Sequence, residues 1–436
     1  MIAHGLGGRL DLPVPEWLFV YGAAAVVLIS FVALGVLWKQ PRLEDPAEGR
    51  PFPDALQGVF RSRAVEVVVR ALFVLILCIV FAAGIAGRDQ AFFNIAPWIV
   101  YVIFWVGLAF VHALFGNWWA TLSPWDSIAR FLGVGDRPRR EYPRAWGVWP
   151  ASILLLGFLF LELVLPDGLG ESPRVLGWAT GIYSAVTIGG MALFGRDTWN
   201  RYGEAFAVYL GLLSRIAPFG RRDDRRVIVR PFLAGLPSLR PQPGLVAIAM
   251  VVIGSTTFDG FTGTSLWIGW TRGLSDLASA AAHATGLLAT IVVATCVYAL
   301  SMLAASTVAR TPWHVLSVRF VHSLIPIAFA YVAAHYFSLL LLEGGQTALA
   351  LASDPLGRGW NLFGTADLVV NFNLLSANAI WYFQVGVIIL GHVAGVLLAH
   401  DRALAIFPEK VAVRTQYALL GVMVLFTMSG LAILSG

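Results

Sequence analysis

Ten apolar runs, most of them about 20 residues long and joined by short polar connections, dominate the chain. They lie near 17–38, 66–87, 96–116, 146–166, 174–195, 244–258, 283–306, 314–341, 374–400 and 414–435. About 20 apolar residues in helical geometry cross a hydrocarbon layer of roughly 30 Å, so each run predicts a membrane-spanning helix. The fold class is therefore all-α: a polytopic transmembrane helix bundle forming a single integral membrane domain over residues 1–436. The sixth run is short. Its 14 apolar residues, Leu245 to Phe258, lead straight into STTFDGFTGTSLW. That pattern predicts a helix that unwinds within or beside the bilayer, as backbone does where it lines a cavity. The alternative is a plain Asx-type turn at the membrane surface.

Two connecting stretches carry a helical period of their own. In 197–217, Trp199, Tyr202, Phe206, Tyr209, Leu213 and Ile216 recur at three- and four-residue steps. In 118–132, Trp118, Trp119, Leu122, Trp125, Ile128 and Leu132 do the same, with Asp126 and Arg130 on the wet side. Both predict amphipathic helices lying in the membrane interface. Residues 345–372, rich in Pro, Gly and Asp, predict an ordered cap on the other side.

Charge then orients the bundle. The connections after runs 1, 3 and 5 hold clusters of cations, among them Lys39, Arg42 and Arg61, then Arg137, Arg139 and Arg140, then Arg221, Arg222, Arg225 and Arg226. Arg310, Arg402 and Lys410 fall on the same side, whereas the intervening loops hold only Arg88, Arg174, Arg272 and Arg358. Positive residues collect in cytoplasmic loops, so ten spans with both termini outside the plasma membrane satisfy every loop. A net charge of +5 spread in this way is no nucleic-acid footprint. Mean hydropathy of +0.76 and 16 Trp residues agree with a bilayer protein. Cys78 and Cys296 fall inside apolar runs and read as small core hydrophobes. The polar, Pro/Gly-rich start MIAHGLGGRLDLPVPEW does not read as a cleavable signal.

What chemistry there is sits inside the spans, where an ionisable or amide group is costly and is a functional candidate by default. Run 8 places His322 and His335 13 residues apart, at two depths, with Pro326 between them. Pro326 removes the amide donor that would have met the His322 carbonyl, which predicts a kink. Run 9 sets Asn371, Asn378 and His392 on one stripe, with Gln384 and His400 offset around the helix. An outer layer of Asp259, His335 and Asn378, with Asn371 and Asp367 nearby, and an inner layer of His322 and His392, joined by His112, follow from these positions. His283, His314 and His400, near span ends, read as imidazoles bonded across helices, and amides serve as interhelical glue in many bundles.

The strings STTFDGFTGTSLW, HSLIPIAFAYVAAHYFSLLL, GWNLFGTADL and WYFQVGVIILGHVAGVLLAHDRAL resemble a bacterial, largely actinobacterial, family of multi-pass membrane proteins labelled fenitrothion hydrolase. The resemblance runs over most of the chain, is densest from 250 to 405, and implies cleavage of an aryl organophosphate ester. A hydrolase would use Asp259, His335 and Asn378 as catalytic groups on a lipophilic small molecule, with a divalent metal on His335 and Asp259 as one form of the site. A b-type haem protein would use His322 and His392 as ligands. A transporter would place its site at the broken sixth span, and a scaffold would need none of these groups. A partner membrane subunit is a further expectation.

Overall fold

The computed structural model describes residues 15–44, 49–53, 57–58, 62–166, 168–221 and 226–435. The polar amino-terminal segment before Pro15, and Arg61, Arg222 and Arg225 of the basic loops, lie outside them. Apolar helices occupy all ten expected runs: α1 (Glu16–Leu37), α2 (Arg63–Ala86), α3 (Ile95–Phe115), α5 (Trp149–Leu163), α6 (Pro173–Phe194), α9 (Leu245–Thr262), α11 (Asp276–Ala309), α12 (Trp313–Leu351), α13 (Ala377–Ile406) and α14 (Glu409–Leu434). Between them lie α4 (Pro124–Phe131), α7 (Arg196–Tyr202), α8 (Ala205–Leu213) and α10 (Ser265–Thr271). Among the described residues, nine of these helices are long and apolar enough to cross a membrane. These long apolar helices fit a membrane protein.

The short spanning helix is the fourth, not the sixth. Gly147, at φ +47°, turns the chain into α5 and Pro150 occupies its first turn; the helix stops after 15 residues, ahead of Pro166. α9, by contrast, does not unwind at Ser255. It runs 18 residues to Thr262 because Ser255, Thr256 and Thr257 donate their hydroxyls to carbonyls of their own helix, at Val252 and Ile253. With those polar groups satisfied internally, a run of Ser and Thr can stay helical inside the bundle.

Two helices form the centre. α9 and α12 are each 72% buried over their most apolar stretch, and no other spanning helix reaches half. α13 lies closest against α12. A Cβ added at Gly391 would stand 2.3 Å from the Ala330 Cβ, and one at Gly395 would stand 2.9 Å from the Ser323 carbonyl oxygen. α2 and α6 meet in the same way at Gly84 and Gly177. Small residues let backbones approach where no hydrophobic force drives helices together. Just before Pro326, Val321–Leu324 tighten into a 3-10 turn. Two segments are wound as π-helix, Trp98–Gly107 in α3 and Leu339–Gly344 in α12, and they pack on each other, with Gly344 against the Val102 side chain.

The basic connections gather at one end of the bundle. There Asp401 of α13 accepts from Trp38 Nε1 and from the Arg42 and Leu43 amides, Arg402 pairs with Glu44, and Arg50–Pro51 (β1) joins a small antiparallel sheet with Phe219–Arg221 (β2) and Val227–Val229 (β3), in the order β1-β3-β2. The expected interfacial helices take another form. Residues 197–217 break at Gly203 into α7 and α8, and α8 is buried on nearly every side against α3 and α5. Asp126 is buried rather than wet, because Arg70, Arg130 and Asn200 converge on it. Cys78 and Cys296 face outward from the bundle, not into a core. At the far end the segment after Leu351 is ordered as expected, with the buried Ser353 hydroxyl accepting from the Phe363 and Thr365 amides.

Gly391→Val should cost about 1–3 kcal/mol through forced separation of α12 and α13. Gly386→Val, where a Cβ meets nothing within 4 Å, should be nearly neutral. Unfolding of both variants in detergent tests this; equal stability would show that the close approach is not needed.

Candidate acid–base site

Asp259, on central helix α9, is 5% exposed and stands opposite the adjacent residues His335 and Tyr336 of central helix α12. His335 Nε2 lies 2.9 Å from Asp259 Oδ2, and the Tyr336 hydroxyl donates to the same oxygen at 2.6 Å. An ionised carboxylate only accepts, so its His335 contact requires the proton on Nε2. Nδ1 then keeps its lone pair, as imidazole does wherever a buried carboxylate fixes the tautomer. Nδ1 lies beside Gly260, where a Cβ would stand 3.7 Å from it, in ordinary contact, but only 2.7 Å from the Ile433 side chain. The ring borders a cavity of about 20 Å³, walled also by Thr256, Thr257, Tyr331 and Gly430. One water fits such a space.

A second carboxylate completes the cluster, and sequence reasoning missed it. Glu162, near the end of α5, has a fully buried Oε2 without a hydrogen-bond partner. It lies within electrostatic reach of Asp259, Tyr336, Tyr209 and Tyr101. The signal was there: a lone Glu in the run LLLGFLFLELVL, overlooked because it sits near the end of its span. Trp105, in the π-helical part of α3, stands by Tyr336 and stacks on Tyr209 at 4.8 Å. π-helical segments recur at functional sites because the wider turn re-aims side chains.

Behind this cluster lies a layer of phenylalanines, Phe104, Phe158 and Phe206, with ring centroids 4.4 and 5.3 Å apart. Its far side forms part of the wall of an apolar cavity of about 590 Å³ between α2, α3, α5 and α6. The polar atoms of the cavity's Tyr183 and Trp119 are spent on Glu204, and Trp125 Nε1 donates to Ser184. Glu204 also takes the Phe206 and Ala207 amides as the cap of α8, a structural role.

The other expected residues do not join the site. Asn378 is exposed in the first turn of α13, and among the described residues it has no hydrogen bond to Asp259 or His335. α13 starts only at Ala377, so Asn371 belongs to the preceding loop, where it accepts from the Asn373 amide; Asp367 is exposed in that loop. Gln384 bonds the Ala334 carbonyl, a link between helices. His400 bridges Gln416 and the Trp38 carbonyl, His283 bonds its own helix at Ser279, and His314 is exposed. His112, His322 and His392 are buried, each with Nδ1 on a carbonyl of its own chain segment, at Leu108, Arg319 and Ile388. Their Nε2 atoms have no partner.

Neither cofactor fits. A bis-imidazole haem needs its ring plane between two opposed histidines, and α12 and α13 touch directly at Gly391 and Gly395, between His322 and His392. For a metal, Asp259 and His335 supply two donors where a catalytic site uses three. Among the described residues no three His, Cys, Asp or Glu side chains gather to hold an ion. No family description, curated protein or solved structure matches the chain.

His335→Ala and Tyr336→Phe should each cost about 1–3 kcal/mol by depriving Asp259 of a partner. Because both act on one oxygen, the double variant should fall short of the sum by about 1 kcal/mol. Strict additivity in denaturant unfolding would mean the two contacts are independent.

Proposed function

We propose that this chain is an integral plasma-membrane protein that moves protons through an acid–base centre held between its central helices. The observation that carries this reading is the convergence of His335 and Tyr336 on one buried oxygen of Asp259, with Glu162 in electrostatic reach. Ionisable side chains at membrane depth face the protein interior and mark proton or ion pathways. Two carboxylates in a water-poor interior repel strongly when both are charged, and a proton held on one relieves that repulsion.

The steps follow from the geometry. A proton arriving through the water-sized cavity adds to His335 Nδ1, and Asp259 stabilises the imidazolium. The Nε2 proton then passes to Asp259 Oδ2, which restores neutral imidazole, and the charge on Glu162, in electrostatic reach, favours the protonated carboxyl. No bond between heavy atoms forms or breaks. The arginine distribution supports a centre in the outer half of the bilayer with both termini outside. Proton-coupled transport is the class of activity such a relay serves.

A second reading is the hydrolase that resemblance to fenitrothion hydrolase implies. One observation favours it: His335 Nδ1 borders a space for a single water, the arrangement of a general base. The large apolar cavity suits a lipophilic ester, but the phenylalanine layer stands between it and Asp259.

Purified protein in vesicles containing a pH-sensitive dye should pass protons down an imposed gradient, and Asp259→Asn should slow that flux at least tenfold. Flux identical in the variant and the unaltered protein would remove the proton-relay reading. Release of a nitrophenol from an aryl phosphotriester, lost in His335→Ala, would establish the hydrolase instead.

A further inference from the structure

The acid–base centre lies toward one end of the bundle, and a relay that moves protons across a membrane needs groups beyond it. α12 and α13 supply them. Tyr331, one turn along α12 from His335, walls the same small cavity. Its ring stands edge-on to His392 of α13, with centroids 5.9 Å apart. The next turn of α13 brings Gly395 against Ser323, the neighbour of His322. The two imidazoles therefore stand about one to two helical turns apart along the bundle. Arg402 lies within electrostatic reach of His322 and pairs with Glu44 at 2.7 Å, at the basic end.

Both histidines are oriented alike. Each gives its Nδ1 proton to a backbone carbonyl, of Ile388 or of Arg319, because a carbonyl can only accept. Each therefore presents the Nε2 lone pair to the interior, and among the described residues neither Nε2 has a protein donor, although the His322 ring also lies near the Leu398 carbonyl. His392 is 0% exposed and His322 2% exposed. A buried acceptor left without a partner costs about 1–3 kcal/mol, and water is the partner that such sites hold. Two in sequence, continuing a line that starts at His335, are poor economy for a passive core.

Resting on the proton-relay reading above, we infer that His392 and His322, bridged by buried water, carry protons between the Asp259 centre and the basic end of the bundle. Each takes a proton on Nε2 from a neighbouring water and returns it through the same atom. Glu44 and Arg402 form the mouth. Burial holds the Glu44 carboxyl above the usual carboxylate range, an effect opposed by Arg402 and reinforced by Asp401.

The full chain in phosphatidylcholine–phosphatidylglycerol vesicles, with internal pyranine and a valinomycin-driven potential, tests the route. Protonation of Asp259 is followed separately by the carboxylic C=O infrared band that Asp259→Asn removes. His392→Phe and His322→Phe should each lower proton flux at least tenfold and leave the Asp259 band titrating from the outside. Where a Phe variant does not fold, His→Gln at that position keeps an acceptor that cannot ionise, and the same loss is expected. Unaltered flux in folded His392 and His322 variants, with flux abolished in Asp259→Asn, would overturn the route and leave the centre standing. An Asp259 band that never titrates, with full flux in Asp259→Asn, would overturn both.

Discussion

Inside a hydrocarbon layer a carboxylate has only the protein to solvate it, and that constraint organises this structure. Asp259 can be kept at depth because two donors reach a single oxygen and because the helices carrying all three groups are those with the least contact with lipid. The other spanning helices form a rim whose outward faces are apolar. Removing Asp259 from water costs several kcal/mol, which hydrogen bonds from fixed neighbours offset only in part. Proton exchange with the neighbouring imidazole is the use we propose for it.

The constraint also explains the backbone around the site. α9 remains helical through Ser255, Thr256 and Thr257 because their hydroxyls close on the preceding turn. The π-helical segments of α3 and α12 lie where Trp105 and the end of α12 meet the cluster. Gly260 and Gly430 leave space for the Ile433 side chain and the Tyr331 hydroxyl respectively. Each is a local departure from regular, fully packed helix, and all of them fall around the same few polar groups.

Much of this was legible in the sequence. The ten runs could be read because apolar length is set by bilayer thickness, and the pairing of Asp259 with His335 because depth along a span follows from residue count. Rotation around the helix could not be read with equal security. Asn371 could share a stripe with His392 only if α13 began before it, and the helix starts at Ala377; Asn378 is in the helix, but in its exposed first turn, away from Asp259. Glu162 went unnoticed although its cost in lipid equals that of Asp259. The short sixth run misled for another reason: hydropathy counts Ser and Thr as polar, whereas inside a helix their hydroxyls are already satisfied. α8 was read as lying on the membrane because its aromatic stripe is real, but the facing surface is protein, not lipid headgroups.

The brevity of α5 has a consequence for the surrounding lipid. Fifteen residues rise about 22 Å, well below the roughly 30 Å of an average hydrocarbon core. In a bilayer of that thickness the adjacent acyl chains would have to compress or tilt to match it. Glu162 is the penultimate residue of that helix, so its buried Oε2 would stand near the level to which the thinned layer reaches.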